Sequence, residues 1–310
     1  EVILDTYASA CADVCLTAVA LRARTWHIRP MLWRSWPDAA SFLEASSSHL
    51  RADPLLNQMP LGLARTLAAD PFRYGDAVRY NTVHDDGGAC IGAVFHTPPW
   101  LPALSNMPLA AAAFAGARYA ADHPDVNGGF GVDDVALAFT AAAVGARGGG
   151  TLTSIEGMGV FRLDAVTELP RAPGHARPAA ADDAPLLQRW LEAFHDEALP
   201  SEPAVAADAG AAAAARGQGH LWTDGDVPVA YASYNRDVDG WVGIGPVYTP
   251  PERRGRGYAT SLVAEMSARV LAEGRPGCTL FTDLANPTSN RIYERIGYRR
   301  IGMMKRYAIR

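Results

Sequence analysis

One strand-to-helix junction constrains this chain more than any other feature. The apolar run 243–249 passes through Pro250-Pro251 into Arg254-Gly255-Arg256-Gly257-Tyr258-Ala259. A helical stretch follows at once, with Leu262, Val263, Met266 and Val270 recurring on one face. Two glycines at such a junction let the backbone turn tightly and aim successive N–H groups at one point. Together with the positive end of the helix dipole, those amides make a site for a phosphate group. The spacing Arg-x-x-Gly-x-Ala is not the P-loop, which needs Gly-Lys-Ser/Thr, and it is not Gly-x-Gly-x-x-Gly. Taken alone, the junction fits a solvated Arg-Gly turn equally well.

A second motif follows at a fixed distance. The strand-like run 278–284 ends in Asn286-Pro287-Thr288-Ser289-Asn290-Arg291-Ile292-Tyr293, and Gly297-Tyr298 close the segment. Asn286 as cap, Pro287 in the first turn and Gly297 as stop define a short helix. The two motifs together resemble the GNAT superfamily of acyl-CoA-dependent N-acyltransferases. Arg254, Gly257 and Ala259 match that family's Arg/Gln-x-x-Gly-x-Gly/Ala loop; Asn286, Ser289, Tyr293, Gly297 and Tyr298 match its later series. The resemblance covers roughly the last third to half of the chain.

The resemblance implies an acetyl-CoA co-substrate lying where the fourth and fifth strands of a domain splay apart. The backbone of Val247, Tyr248 and Thr249 would pair with the pantetheine arm as an added strand does. The Val247 N–H would meet the thioester carbonyl, whose oxygen becomes negative during attack. Amides of Arg254, Gly255, Arg256, Gly257, Tyr258 and Ala259 would hold the pyrophosphate, with charge from Arg254 and Arg256, one of which can equally be solvated. Tyr293 would act as general acid on the departing thiolate, or simply anchor its helix to the core. Asn286 and Asn290 would serve the cofactor, and Asn286 would also cap. Glu197 and Asp283 are the candidate bases; Glu197 also reads as a solvated helix end, and Asp283 as a turn-capping carboxylate.

Composition bounds the other possibilities. Hydrophobic residues make up 49% and charged residues 20%, as in a soluble globular protein. A net charge of −5 and a pI near 5.9 give no pull toward nucleic acid or an anionic membrane. That argues against reading Arg253-Arg254-Gly255-Arg256-Gly257 as an RNA-binding tract. Cys11, Cys15, Cys90 and Cys278 are too few and scattered for a disulfide framework or a zinc site, which fits a reducing cytoplasm. The residues His195-Asp196-Glu197 point different ways from a helix, so no metal is expected. The apolar run 10–21 is too short for a membrane span, and its positive charges follow it rather than precede it as in a secretory signal.

The fold class expected is α/β (α+β): two GNAT-like domains, each a mixed, mostly antiparallel sheet flanked by helices. The order helix, helix, hairpin, strand, helix, strand, helix, strand runs over 31–168 and recurs over 181–310. Residues 1–30 read as a poorly specified extension. Residues 169–180, rich in proline and poor in apolar residues, read as a linker, and 152–163 as a strand that leaves its domain. The first copy enters its fourth-strand helix through Met107-Pro108-Leu109 and carries Asn127-Gly128-Gly129-Phe130-Gly131 where the second motif would stand. A phosphate cradle cannot be made from those residues, so the first copy is expected to be degenerate. The function expected is N-acetyl transfer to a small-molecule or peptide amine; the alternative is an acyl-CoA-binding or sensing protein without turnover.

Overall fold

The structure, a computed structural model, describes residues 30–198 and 204–310; the extension before residue 30 lies outside the described residues. In the amino-terminal half, β1 (Leu32–Trp36) leads into α1 (Ala39–Ala52) and α2 (Gln58–Ala69). The Asp38 carboxylate accepts the Ser41 N–H at 2.8 Å and starts α1 as a side-chain cap. Strands β2 (Arg79–His84) and β3 (Cys90–His96) form a hairpin over Asp85-Asp86-Gly87-Gly88. Then come β4 (Ala103–Leu104), α3 (Leu109–Asp122), β5 (Gly128–Val132), α4 (Asp133–Arg147) and β6 (Leu152–Leu163).

The carboxy-terminal half repeats that order. Its elements are β7 (His175–Pro178), α5 (Ala184–Ala198), α6 (Ala209–Ala215), β8 (Gly219–Asp224), β9 (Val227–Val238) and β10 (Trp241–Tyr248). α7 (Tyr258–Ala272), β11 (Gly277–Asp283), α8 (Pro287–Ile296) and β12 (Arg299–Ile309) complete it. The proline-rich stretch 97–108 holds only the two-residue β4, because proline removes ladder donors. One expectation is corrected in detail. The stretch 169–180 is not a free tether: its β7 pairs with β8, and Pro173 C=O accepts the Trp222 indole N–H at 2.8 Å. Between α5 and β8 the described residues hold one helix, α6, preceded by non-helical residues 204–208.

The twelve strands of the described residues share one mixed, mostly antiparallel sheet, ordered β1-β2-β3-β4-β5-β12-β6-β11-β10-β9-β8-β7. The halves exchange their last strands. β12 leaves the carboxy-terminal half to pair with β5, and β6 leaves the amino-terminal half to pair with β11 over Cys278–Asp283. β6 and β12 also pair with each other at the middle of the sheet. Helices α7 and α8 cover one face through Leu262, Val263, Met266 and Ile296 against Val242, Ile244 and Leu280. Each such side chain, fully buried, contributes roughly 1.5–3 kcal/mol. On the other face, Leu187 and Trp190 of α5 pack on Leu221, Tyr231 and Tyr248. The amino-terminal half is layered in the same way, with α3 and α4 over Val83, Val94 and Leu104, and α1 and α2 over Tyr80, Ala93 and Phe95.

Candidate active site

The site begins where two parallel strands part. β10 and β11 pair only through Trp241↔Gly277, Val242↔Cys278 and Gly243↔Thr279. Beyond that point β10 stays with β9, with register irregularities between Gly243 and Val247, while β11 follows β6 to Asp283↔Met158. The Gly245 carbonyl holds the irregular stretch to β9 by accepting from Ser233 Oγ at 2.9 Å and Asn235 Nδ2 at 3.0 Å. A wedge therefore opens between residues 244–248 and 280–283. Unpaired strand backbone of this kind accepts an extended ligand as an extra strand.

The cradle stands at the mouth of the wedge. Gly255 and Gly257 take φ of 77° and 79°, the left-handed region that side chains resist. An added Cβ at Gly255 would meet nothing within 4 Å, so this glycine is required by conformation rather than space. Gly257 caps α7, and the first bond of the helix runs from the Ser261 N–H to the Gly257 carbonyl at 3.0 Å. The Arg254 N–H, expected to join the cradle, is spent on the Pro251 carbonyl at 3.2 Å; the amides between it and that first bond are the orphan donors of a helix start and suit an anion. The Tyr258 ring is buried in the core and its hydroxyl donates to Asp224, so only its backbone is offered to the cradle. Arg256 is exposed and Ala259 half-buried.

Tyr293 lies on the inner face of α8, 8% exposed, in the cluster that contains Ile244 and Leu280 from the two sides of the wedge. Burial pushes its phenol up to about 12. Its ring meets Tyr298 edge-on, with centroids 5.9 Å apart. Ser267 Oγ donates to the Val263 carbonyl and therefore accepts from the Tyr298 hydroxyl at 2.9 Å, so Tyr298 is held from behind. Sequence reading placed Tyr298 in its motif but gave no sign of the Ser267 bond, because Ser267 lies outside both motifs.

Asn286 caps α8, accepting the Ser289 N–H at 3.1 Å. Asn290 donates Nδ2 to the carbonyls of Asp283 and Leu284. Its Oδ1 is buried without a partner among the described residues, as is Thr249 Oγ1. These two oxygens follow β11 and β10 respectively, one on each side of the wedge mouth. Orphaned polar atoms here fit a ligand rich in amides and hydroxyls, as a pantetheine arm is. Tyr248 points its ring away, 6.0 Å from Trp190.

The two candidate carboxylates are otherwise engaged. Asp283 Oδ1 accepts the Ala285 N–H at 2.8 Å, the turn-capping arrangement; the residue also borders a cavity of about 510 Å³ with Gly157, Met303 and Lys305. Glu197 receives Arg254 Nη2 on both oxygens, at 2.9 and 2.7 Å. Arg254 Nε donates to the Thr249 carbonyl at 2.8 Å, and its guanidinium lies 5.8 Å from the Tyr248 ring centre. The sequence placed Arg254 and Glu197 in different roles, and nothing in the spacing pairs them. Among the described residues no group of three His, Cys, Asp or Glu side chains is placed to hold a metal ion, and no helix is long and apolar enough to cross a membrane.

This fold is that of the GNAT acetyltransferases. An acetyltransferase of the GNAT family from Colwellia psychrerythraea superposes with a TM-score of 0.57 at 8% identity, covering 90% of this chain and 100% of its own. A GCN5-related N-acetyltransferase from Sphaerobacter thermophilus gives 0.56 at 15% identity, covering 90% of this chain and 95% of its own. By sequence, residues 226–308 match the family model described as FR47-like protein, which is GNAT-related and spans both motifs. No curated protein matches the chain by sequence. The family resemblance and the fold class read from the motifs are thereby borne out.

Proposed function

We propose that the chain transfers an acyl group from acyl-CoA, acetyl in the simplest case, to an amine by direct attack in a ternary complex. The observation that carries this is the wedge itself. One opening combines unpaired strand backbone, the orphan amides of the α7 start, two unpartnered buried oxygens and a buried phenol. The backbone of 247–249 holds the pantetheine arm, amides from Gly255 to Ala259 hold the pyrophosphate, and the Val247 N–H supports the oxyanion. Asn286 and Asn290 line the α8 side of that arm.

Tyr293 faces the departing sulfur. Held to about 12, its phenol is a weaker acid than an ordinary thiol near 8.5, so its service is donation to the negative sulfur rather than early release of the proton. The balance is simple: the N–C bond forms, the C–S bond breaks, and the neutral amine's proton ends on sulfur, passed on by the phenol or by water. Glu197 and Asp283 are left out of this step, because the first is turned to Arg254 and the second to its own turn. The test is release of free thiol from acetyl-CoA across a panel of amines. Amine-dependent release is the expected result. CoA binding without release for any amine would favour the binding or sensing reading, and absence of CoA binding would overturn both.

A further inference from the structure

Resting on that reading, we propose that Glu197 is a positioning residue that competes with the CoA diphosphate for one guanidinium, so the cradle fills by exchange of anions on Arg254. Three observations meet at this side chain. Arg254 belongs to the cradle loop, immediately before Gly255 and Gly257. Its Nε is tied to the Thr249 carbonyl at the end of β10, which fixes the guanidinium beside the strand that borders the wedge. Its Nη2 is spent on both oxygens of Glu197, in the last turn of α5, 57 residues earlier in the chain.

A guanidinium that is satisfied by a carboxylate offers less to a phosphate than a free one. The negative charge of Glu197 at the same spot also repels the incoming diphosphate. The pair is about half exposed on both sides, 47% for Arg254 and 45% for Glu197. An ion pair in that setting is weak enough to open, and a multiply charged phosphate is a stronger partner for arginine than one carboxylate. The Thr249 bond holds the rigid, planar guanidinium in place, so the diphosphate takes the Nη2 edge that Glu197 gives up. Glu197 thus sets the affinity of the diphosphate end of the site, and cofactor binding detaches the end of α5 from the cradle loop.

Calorimetric titration of the full chain tests this with CoA and with pantetheine, which lacks the diphosphate. Glu197→Gln is expected to bind CoA about two- to five-fold more tightly than wild type, the range of an exposed ion pair. Its affinity for pantetheine should not change. In an Arg254→Gln background, Glu197→Gln should have no effect on CoA, because the shared guanidinium is gone. Unchanged or weaker CoA binding in Glu197→Gln, equal tightening of pantetheine, or an effect that persists without Arg254 would each overturn the exchange. Both residues lie at the surface, so neither substitution empties a core position. A wild-type chain that binds no CoA would sink the acyltransferase reading itself and the exchange with it, an outcome distinct from all the others.

Discussion

The two halves of the molecule share a topology and differ at the one place where chemistry needs space. In the carboxy-terminal half, parallel strands β10 and β11 separate and two left-handed glycines start the next helix. In the amino-terminal half the corresponding parallel pair, β4 and β5, is reduced to Ala103↔Phe130. The chain then enters α3 through Met107-Pro108, with Met107 buried. Protein atoms fill what would be the cradle: Asn57 Oδ1 accepts the Asn106 N–H at 2.6 Å, and Asp53 accepts from Asn106 Nδ2 at 3.2 Å. Leu104 occupies the strand gap so closely that a Cβ on Gly131 would sit 3.0 Å from its own. The seventh residue of α8 is Tyr293, and the seventh of α4 is Phe139, which has no proton to give. At this place the amino-terminal half has a satisfied loop amide and a filled gap within the same topology.

The exchange of β6 and β12 makes this comparison physically inseparable, and the largest expected effect follows from it. A fragment from Arg171 onward lacks β6, so β11 loses its partner over Cys278–Asp283 and β12 loses partners on both sides. Unpaired strands of that length aggregate. The fragment is expected to be insoluble or unfolded, as gel filtration and circular dichroism would show; a folded monomer that binds CoA would mean the exchanged strand is dispensable. Next in size is the cradle. Calorimetry on the whole chain should find one CoA site, and Gly257→Trp should abolish it, since a side chain at φ 79° is strained and stands among the donor amides. Two sites, or binding that survives the substitution, would break the asymmetry between the halves.

Much of the local structure around the candidate site was legible in the sequence, because its parts are local. The glycine spacing gave the helix start, and Asn286, Pro287 and Gly297 gave the limits of α8; each depends on residues a few positions apart. That the amino-terminal half lacks both motifs was legible directly from its residues. What the chain did not announce was every contact made across long separations. Arg254 with Glu197, Tyr298 with Ser267 and Asn106 with Asn57 are side-chain pairings without a period, and no local propensity encodes them. The departure of 152–163 from its own half was readable as a strand leaving the domain. Its partner β11 and the reciprocal move of β12 were not, since register between distant strands is set only when the two faces are packed.

Smaller than the loss of a cradle is the loss of one hydroxyl. Tyr293→Phe keeps the ring and its edge contact with Tyr298, so CoA affinity should stay within a few-fold, while turnover falls by roughly 10²–10⁴. The pH profile sharpens the assignment. An ordinary phenol ionises near 10 and would give an alkaline limb there. Burial raises Tyr293 to about 12, so the neutral, donating form persists until pH nears that value. Activity should therefore rise as the acceptor amine loses its proton and show no decline through pH 10. A decline near 10 that vanishes in the Phe variant would show that ligand or solvent opens the Tyr293 site. Wild-type turnover in the variant would leave the residue as an anchor for α8.

The converse substitution has the smallest effect and separates packing from chemistry most sharply. Phe139 is fully buried in the amino-terminal half, 5.9 Å from Tyr119, in a region where α3 and α4 pack so closely that a Cβ on Gly116 would meet the Phe139 carbonyl at 2.0 Å. Phe139→Tyr supplies the hydroxyl that Tyr293 has, but to a half whose gap is filled by Leu104 and whose Asn106 amide is spent on Asn57. It should add no thiol release and no second CoA site. Its cost should be structural: an unpartnered hydroxyl forced into an apolar core destabilises by about 1–3 kcal/mol. Denaturant unfolding of Phe139→Tyr beside Tyr293→Phe would then give opposite signatures, one losing stability without touching turnover and the other losing turnover with its fold intact. A second CoA site in Phe139→Tyr would show that the filled half can still open, and the division of labour between the halves would have to be redrawn.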